Sequence, residues 1–306
     1  WLSAGARRRR PGTRRAQAAA AQALTAVLPA VAPRGRLTPR EEVSHAPLPP
    51  ILRDKHHTAA SAFTPESLLR EAKRQKGADA VAVPAICLLD PDGDMLRHLQ
   101  SAGRARRHPG WVCYHTEMWV FDLEGREIGL VACAVGASFA VLVAEEIFAS
   151  GARLLISVTS AGQVAPLPEL PCFILINRAL RDEGPSYHYL PPGDWAADDA
   201  GLLARLGGAF EGLAQPVLTG PVWTTDAPFR ETGAAIAAAR AAGALAVEME
   251  AAALYAFAAA RDRAVVCLAN VTNQMGQVEG DFEKGTEMGA HDALALVARV
   301  VARLAT

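Results

Sequence analysis

From residue 85 onward, short aliphatic and β-branched runs alternate with helix-like stretches, and few folds accept that rhythm. Strands are expected at 85–90 (AICLLD), 111–123, 127–135, 154–160 (LLISVTS), 172–177 (CFILIN), 216–225, 245–250 (LAVEME) and 264–272 (AVVCLANVT). Helices are expected at 64–77, 138–151, 232–243, 250–262 and 291–304, with one more in the segment 198–213. The helix at 64–77 has explicit ends: Thr64, Pro65 and Glu66 open it and Gly77 closes it. Strands interleaved with helices imply an α/β fold, a single domain with a central mixed β-sheet flanked by helices. Ligands in such folds gather where the carboxyl ends of strands meet helix starts. Those junctions are the places to look for chemistry.

Charge divides the chain in two. Residues 1–60 carry 11 Lys/Arg against 3 Asp/Glu, and the remaining residues carry 20 against 29. The first 60 residues, rich in Ala, Pro and Arg, read as a basic tail, disordered or a non-native extension. The catalytic domain is expected to span 61–306. An acidic body offers no groove for nucleic acid, and no apolar run reaches the roughly 18–20 residues of a membrane span. The five cysteines, Cys87, Cys113, Cys133, Cys172 and Cys267, include no Cys-x-x-Cys pair. An odd, scattered set argues for a reducing, cytoplasmic setting and against a metal site. Cys87, Cys133 and Cys267 lie in apolar runs, where a free thiol behaves as a small hydrophobe.

Two strand ends hold charge. In CLLDPDGDMLRHL (87–99), Asp90, Asp92 and Asp94 alternate like the start of a calcium loop. Such a loop needs glycine at its sixth position and glutamate at its twelfth; Met95 and Ser101 stand there instead. The remaining readings are a plain turn after a buried strand, or a glycine turn that hands an anion to Arg97. In LAVEMEAAALYAFAAARD (245–262), Glu248 and Glu250 bracket Met249 where a strand runs into a helix. Acids at a helix start complement its dipole. A carboxylate there can equally accept hydrogen bonds from a vicinal diol while the thioether packs beneath a sugar ring.

The segment VEMEAAALYAFAAA resembles the signature of the nucleoside phosphorylase family, which includes uridine phosphorylases, hexameric purine nucleoside phosphorylases and related nucleosidases. The likeness continues in order from about residue 84 to the C-terminus. DGDMLR is similar to the family's phosphate turn, with Gly93, Asp94 and Arg97 in register. LLISVTSAGQV resembles the strand whose hydroxyl and amide contact phosphate, placing Ser160 and Gly162 there. CAVGASFAVLVAEEIFASG, RDEGPSYHYLPP and VWTTDAPFRET resemble further family segments, the last two beside base and sugar.

The resemblance implies an enzyme that cleaves the N-glycosidic bond of a nucleoside with phosphate as co-substrate, giving free base and pentose 1-phosphate. It implies no cofactor and no metal. Glu248, Met249 and Glu250 would hold ribose; Gly93, Arg97, Ser160 and Gly162 would hold phosphate; Phe229, Arg230 and Asn270 would face the base. Arg97 and Asn273 would be catalytic, Asn273 standing where purine-cleaving members carry an acid. A shifted alignment places Asn270 on the Asn of a uridine-phosphorylase motif, with Val271 at its Arg, and overall likeness leans toward uridine phosphorylase. A homodimer or hexamer is implied as well.

Three departures bear on mechanism. Ser157 occupies a position where phosphate-using members carry arginine, no counterpart of a second arginine stands near Tyr114 and His115, and Asp92 replaces a proline. Arg178 or Arg181 could substitute. Otherwise water is the nucleophile, as in nucleosidases, or the chain binds nucleosides without turnover.

Overall fold

The computed structural model describes residues 48–77, 81–273, 284 and 286–304, of which Asn273 and Thr286 are described in backbone only. They belong to a compact unit that begins at Leu48; residues 1–47 lie outside the described residues. The chain runs through α1 (Pro65–Lys76), β1 (Ile86–Asp90), α2 (Asp94–Ser101), β2 (Arg106–Arg107), β3 (Met118–Leu123) and β4 (Arg126–Ala132). It continues through α3 (Ala137–Ala149), β5 (Leu154–Gln163), β6 (Cys172–Asp182), α4 (Ser186–Tyr189), β7 (Trp195–Ala197) and α5 (Ala200–Arg205). The last part contains β8 (Val217–Thr225), α6 (Gly233–Ala241), β9 (Ala246–Glu248), α7 (Ala251–Arg261), β10 (Ala264–Asn273) and α8 (Ala290–Leu304).

The sheet is mixed, in the order β10-β6-β8-β9-β5-β1-β4-β3-β2, with β7 beside β6. β10 also pairs with β5, so β5, β9, β8, β6 and β10 close into a barrel-like ring from which β1 to β4 extend. β5 is the hinge of this plan. Its first residues pair in parallel with both β1 and β10, and its end turns to β9 in antiparallel pairing. Because β1 and the start of β5 are covered on both faces, every residue from Ile86 to Asp90 and from Leu154 to Val158 is buried.

Helices cover both faces of the sheet. On one, α3 and α7 pack with Leu155, Ile174 and Val265; on the other, α2 and α8 pack with Leu88, Ile156 and Leu268. The alanine run of α7 lets this helix sit wholly inside, with all seven residues from Ala251 to Phe257 buried. Two bulky groups pin it. The Tyr255 hydroxyl donates to Ile176 O (2.6 Å) and accepts from the Cys267 amide (3.1 Å), while Phe257 meets the rings of Phe148 and Tyr189 at 5.7 and 5.9 Å. The starts of α3 and α7 are thereby fixed side by side.

Most expected elements form. α1 has its Thr64 cap on the Ser67 amide and Gly77 in the left-handed conformation. Three expectations need correction. The strand expected over 111–123 starts only at Met118, because Trp111 and Cys113 are buried by loop contacts, the indole donating to Thr116. The helix in 198–213 stops at Arg205, just before Gly207 and a left-handed Gly208. β6 runs five residues beyond Asn177, since its polar end pairs with β7 and β8. The helix α2, which no expected element covered, turns an apolar face of Met95, Leu96 and Leu99 to the core.

Individual side chains also differ from expectation. Cys133 is exposed rather than buried, with a positive φ of 61° at the turn after β4. His115 is exposed in the loop before β3. His57 donates a ring N–H to Tyr187 O at 3.2 Å. Among the described residues no helix is long and apolar enough to cross a membrane.

Candidate active site

The carboxyl ends of β1, β5, β8 and β9 meet the starts of α2, α3 and α7, and two clusters form there. The first is the Glu248–Glu250 junction. Glu248 ends β9, and its Oε2 accepts from the amides of Glu250 and Ala251, both at 2.8 Å. Its Oε1 accepts from the Thr224 hydroxyl, whose oxygen in turn accepts from the Ala252 amide at 2.9 Å. Glu248 and Thr224 therefore cap the first turn of α7, satisfying three amides that a helix start leaves unpaired. Both Glu248 oxygens are engaged by the protein itself.

Glu250 is different. Its Oε1 accepts from the Gly136 amide at 2.7 Å, joining the start of α7 to the start of α3. Its Oε2 is buried without a hydrogen-bond partner among the described residues. Burial pushes the carboxyl well above the ordinary range; the charge of Glu248 adds to this, while the Gly136 amide and the nearby Thr159 hydroxyl oppose it, and Asp92 adds a smaller upward push. Glu248 is raised too, again by burial first. Met249, between them, is half-buried. A buried carboxylate with one oxygen fixed and one open suits a hydroxyl-bearing ligand, because donors are what it lacks.

The second cluster is the turn after β1. Gly93 adopts the left-handed conformation (φ 76°), and a Cβ there would lie 2.8 Å from Arg97 Nη1 and 2.9 Å from Cys133 Sγ. Only glycine fits. The Gly93 amide is turned inward, to Asp90 O (2.9 Å) and Asp90 Oδ1 (3.1 Å). Asp90 also takes the Leu96 amide at 2.9 Å, and burial lifts its carboxyl to about 6 against the pull of that amide. Asp90 is thus a structural staple of the turn.

The other charges pair among themselves. Arg97 donates to Asp94 and, at 2.8 Å, to Asp92 O. Lys284 Nζ lies 2.6 Å from Asp94 Oδ2 and 3.4 Å from Asp92 Oδ2. Asp92 Oδ2 accepts from the Ser160 amide at 2.8 Å. The part-open crevice lined by Asp92, Asp94, Thr159, Ser160, Asn270 and Lys284 measures only about 20 Å³.

The structure brings Gly93, Arg97 and Ser160 together as the sequence suggests, with Gly162 two residues further along β5. Asn270 lies opposite Ser160 in the β10–β5 register, buried, its Oδ1 without a partner among the described residues. The Asn273 backbone pairs with Gly162 at the end of β10; its side chain lies outside the described residues. Phe229 and Arg230 sit on a short turn, Pro228–Arg230, and Phe229 is fully exposed. Ser157 is buried between Leu89 and Cys267, its hydroxyl unpartnered among the described residues.

The candidate substitute arginines are occupied. Arg181 is buried, donating to Ser186 Oγ, Pro191 O and Leu190 O, and Arg178 stacks on Trp195 at 4.2 Å. His188 lines a separate cavity of about 750 Å³ among Phe63, Leu142, Tyr189 and Arg261. That cavity is larger than the cleft at the strand ends, but it holds neither glutamate of the junction nor the turn after β1. Sequence reasoning missed Thr224, which signals only as the end of an apolar strand, and Lys284, which no local pattern marks.

The strand-end acids sit at the margin of a mixed, closing sheet of an α/β protein, and the chain belongs to the phosphorylase superfamily, whose family model matches residues 62–302. Among curated proteins it is similar to a guanosine phosphorylase of Halorubrum lacusprofundi, 26% identical over 167 residues, which is 55% of this chain and 66% of that protein. The match thus spans just under two thirds of that relative. Among solved structures, a uridine phosphorylase from Vibrio fischeri in complex with 6-hydroxy-1-naphthoic acid superposes with a TM-score of 0.63 at 19% identity, covering 74% of this chain and 97% of that one. A purine nucleoside phosphorylase from Toxoplasma gondii in complex with immucillin-H gives 0.63 at 16% identity, covering 73% and 92%. At these identities the structures speak for the fold.

Proposed function

We propose that residues 61–306 form a nucleoside phosphorylase, transferring the pentosyl group of a nucleoside to phosphate. In this reaction the bond from C1′ to the base nitrogen breaks, its electron pair leaves with the base, and a phosphate oxygen forms the new bond at C1′. The base then takes a proton. The observation that carries the reading is Glu250: a carboxylate anchored on Gly136 through one oxygen, with the other buried and open beside the turn after β1. The open oxygen would accept the ribose 2′- and 3′-hydroxyls, with half-buried Met249 against the sugar and Glu248 holding the helix turn that aims Glu250. Gly93, Arg97, Ser160 and Gly162 would form the phosphate side. Asn270, Asn273, Phe229 and Arg230 would form the base side.

Positioning and electrostatics would supply most of the rate acceleration. A uridine-like substrate is slightly favoured by the overall likeness, while the guanosine- and purine-cleaving relatives keep a purine in play. A homodimer or hexamer fits the fully exposed Phe229 and the half-exposed Val135 at the cleft edge, both suited to cover by a second copy. Five free cysteines fit a cytoplasmic setting.

Hydrolysis is the second reading, and the crowding of the anion turn favours it: Arg97 and the Ser160 amide are both engaged by carboxylates of the chain itself. Base release from uridine, thymidine, inosine, guanosine, adenosine and methylthioadenosine, each with and without phosphate, tests both. Phosphate-dependent release with pentose 1-phosphate formed is expected. Release that ignores phosphate would replace phosphorolysis by hydrolysis, and no release from any nucleoside would overturn both.

A further inference from the structure

Three groups that the turn could offer to an incoming anion already serve acceptors of the chain itself. The Gly93 amide is held by Asp90, Arg97 by Asp94 and the Asp92 carbonyl, and the Ser160 amide by the Asp92 carboxylate. Asp90 ends β1, Asp94 opens α2, and both are buried. Asp92 is not so constrained: it stands at the tip of the turn with its side chain one-third exposed. It nevertheless reaches 68 residues along the chain to the end of β5, where its Oδ2 meets the Ser160 amide at 2.8 Å.

An oxyanion bound at a strand end would want that same amide. The part-open crevice beside it measures only about 20 Å³, about the room one water needs and too narrow as it stands for a tetrahedral oxyanion. Lys284, mostly buried and reaching both Asp92 and Asp94, is a second cation in the cluster, and it too is committed.

We infer that Asp92 is a built-in occupant of the anion site, and that its carboxylate sets the choice of nucleophile by competing with phosphate for the Ser160 amide. The inference rests on the reading of this turn as the acceptor side of the site. While Asp92 is seated, the space admits water alone. When phosphate enters, Asp92 leaves the amide and swings outward through its exposed side, and Lys284 and Arg97 face the new anion. Asp92 is therefore a specificity-determining residue, and its effect is on phosphate more than on nucleoside.

The test is titration of the full chain with inorganic phosphate, followed by calorimetry, for wild type, Asp92→Ala and Asp92→Asn. Asp92→Ala removes both charge and acceptor; Asp92→Asn keeps the shape and an acceptor oxygen, so it preserves the turn should the alanine variant fold poorly. At least a tenfold tighter phosphate Kd is expected for Asp92→Ala, with Asp92→Asn tighter than wild type by a smaller factor. Equal affinity in all three chains, or no binding by any, overturns the inference. Base release from the nucleoside panel runs in parallel and separates the two readings. Silence in every chain with the affinity order intact would sink the enzymatic reading and leave Asp92 as the occupant. Turnover with the same phosphate KM in all three would do the reverse.

Discussion

The Glu248–Glu250 junction and the turn after β1 lie close enough for the charge of Asp92 to be felt at Glu250, yet they handle buried charge differently. At the junction, backbone amides and one hydroxyl surround Glu248, and Glu250 keeps an unfilled oxygen. At the turn, carboxylates meet a lysine, an arginine and an amide, and little is left open. Amides fixed by two helix starts do not move when a ligand arrives. Side-chain pairs can exchange partners. The junction is preorganised to receive a ligand, whereas the turn must rearrange to do so.

The largest expected effect breaks the comparison at Glu250. Glu250→Gln should lower kcat/KM for nucleoside by about a hundredfold, the size of one strong hydrogen bond to a charged group. The same substitution should not cost stability at alkaline pH. A carboxyl raised in the folded state binds its proton more tightly there than in the unfolded chain, so its contribution falls as pH rises above the ordinary carboxylate range. Melting curves should show the glutamine variant gaining on wild type between about pH 5 and 8, the window opened by a rise from the ordinary value near 4.3. A constant difference across that range would show that Glu250 is not displaced.

A smaller effect tests whether the junction is built by its cap. Thr224→Val leaves the Glu248 oxygen without its hydroxyl donor and the Ala252 amide without an acceptor. Urea unfolding should register about 1–3 kcal/mol of lost stability with an unchanged m value. The smallest effect concerns the rim. Phe229→Ala should leave stability within about 0.5 kcal/mol, as expected for a fully exposed side chain. The nucleoside KM should nevertheless rise severalfold, the worth of one aromatic stack. An unchanged KM would remove Phe229 from the base side.

The succession of strands and helices is legible in the sequence because burial on both faces of the sheet writes continuous apolar runs, as in 154–156 and 264–269. Capping chemistry is equally legible where donor and acceptor are neighbours in sequence, as at Thr64. The short helix Asp94–Ser101 is less so: its apolar face is only Met95, Leu96 and Leu99, too few residues to mark a helix until they pack on the far side of the sheet. The site divides the same way. Glu250, Gly93 and Ser160 stand out from local motifs, but their states do not. That Asp92 seats on Ser160, that Thr224 completes the Glu248 cap and that Lys284 closes over Asp94 are contacts across 68, 24 and 190 residues. No local reading of composition or period contains such pairings.

The outer strand β2 carries one more consequence. It is two residues long, and both are arginines, Arg106 paired with Glu127 and Arg107 with Glu117 at 2.7 Å. A sheet margin this short and this charged is a poor template for another molecule's backbone. Copies of the chain that associate would therefore meet through side-chain surfaces and not by extending one sheet into the next from this margin, which protects the fold from the edge-to-edge growth that ends in aggregates.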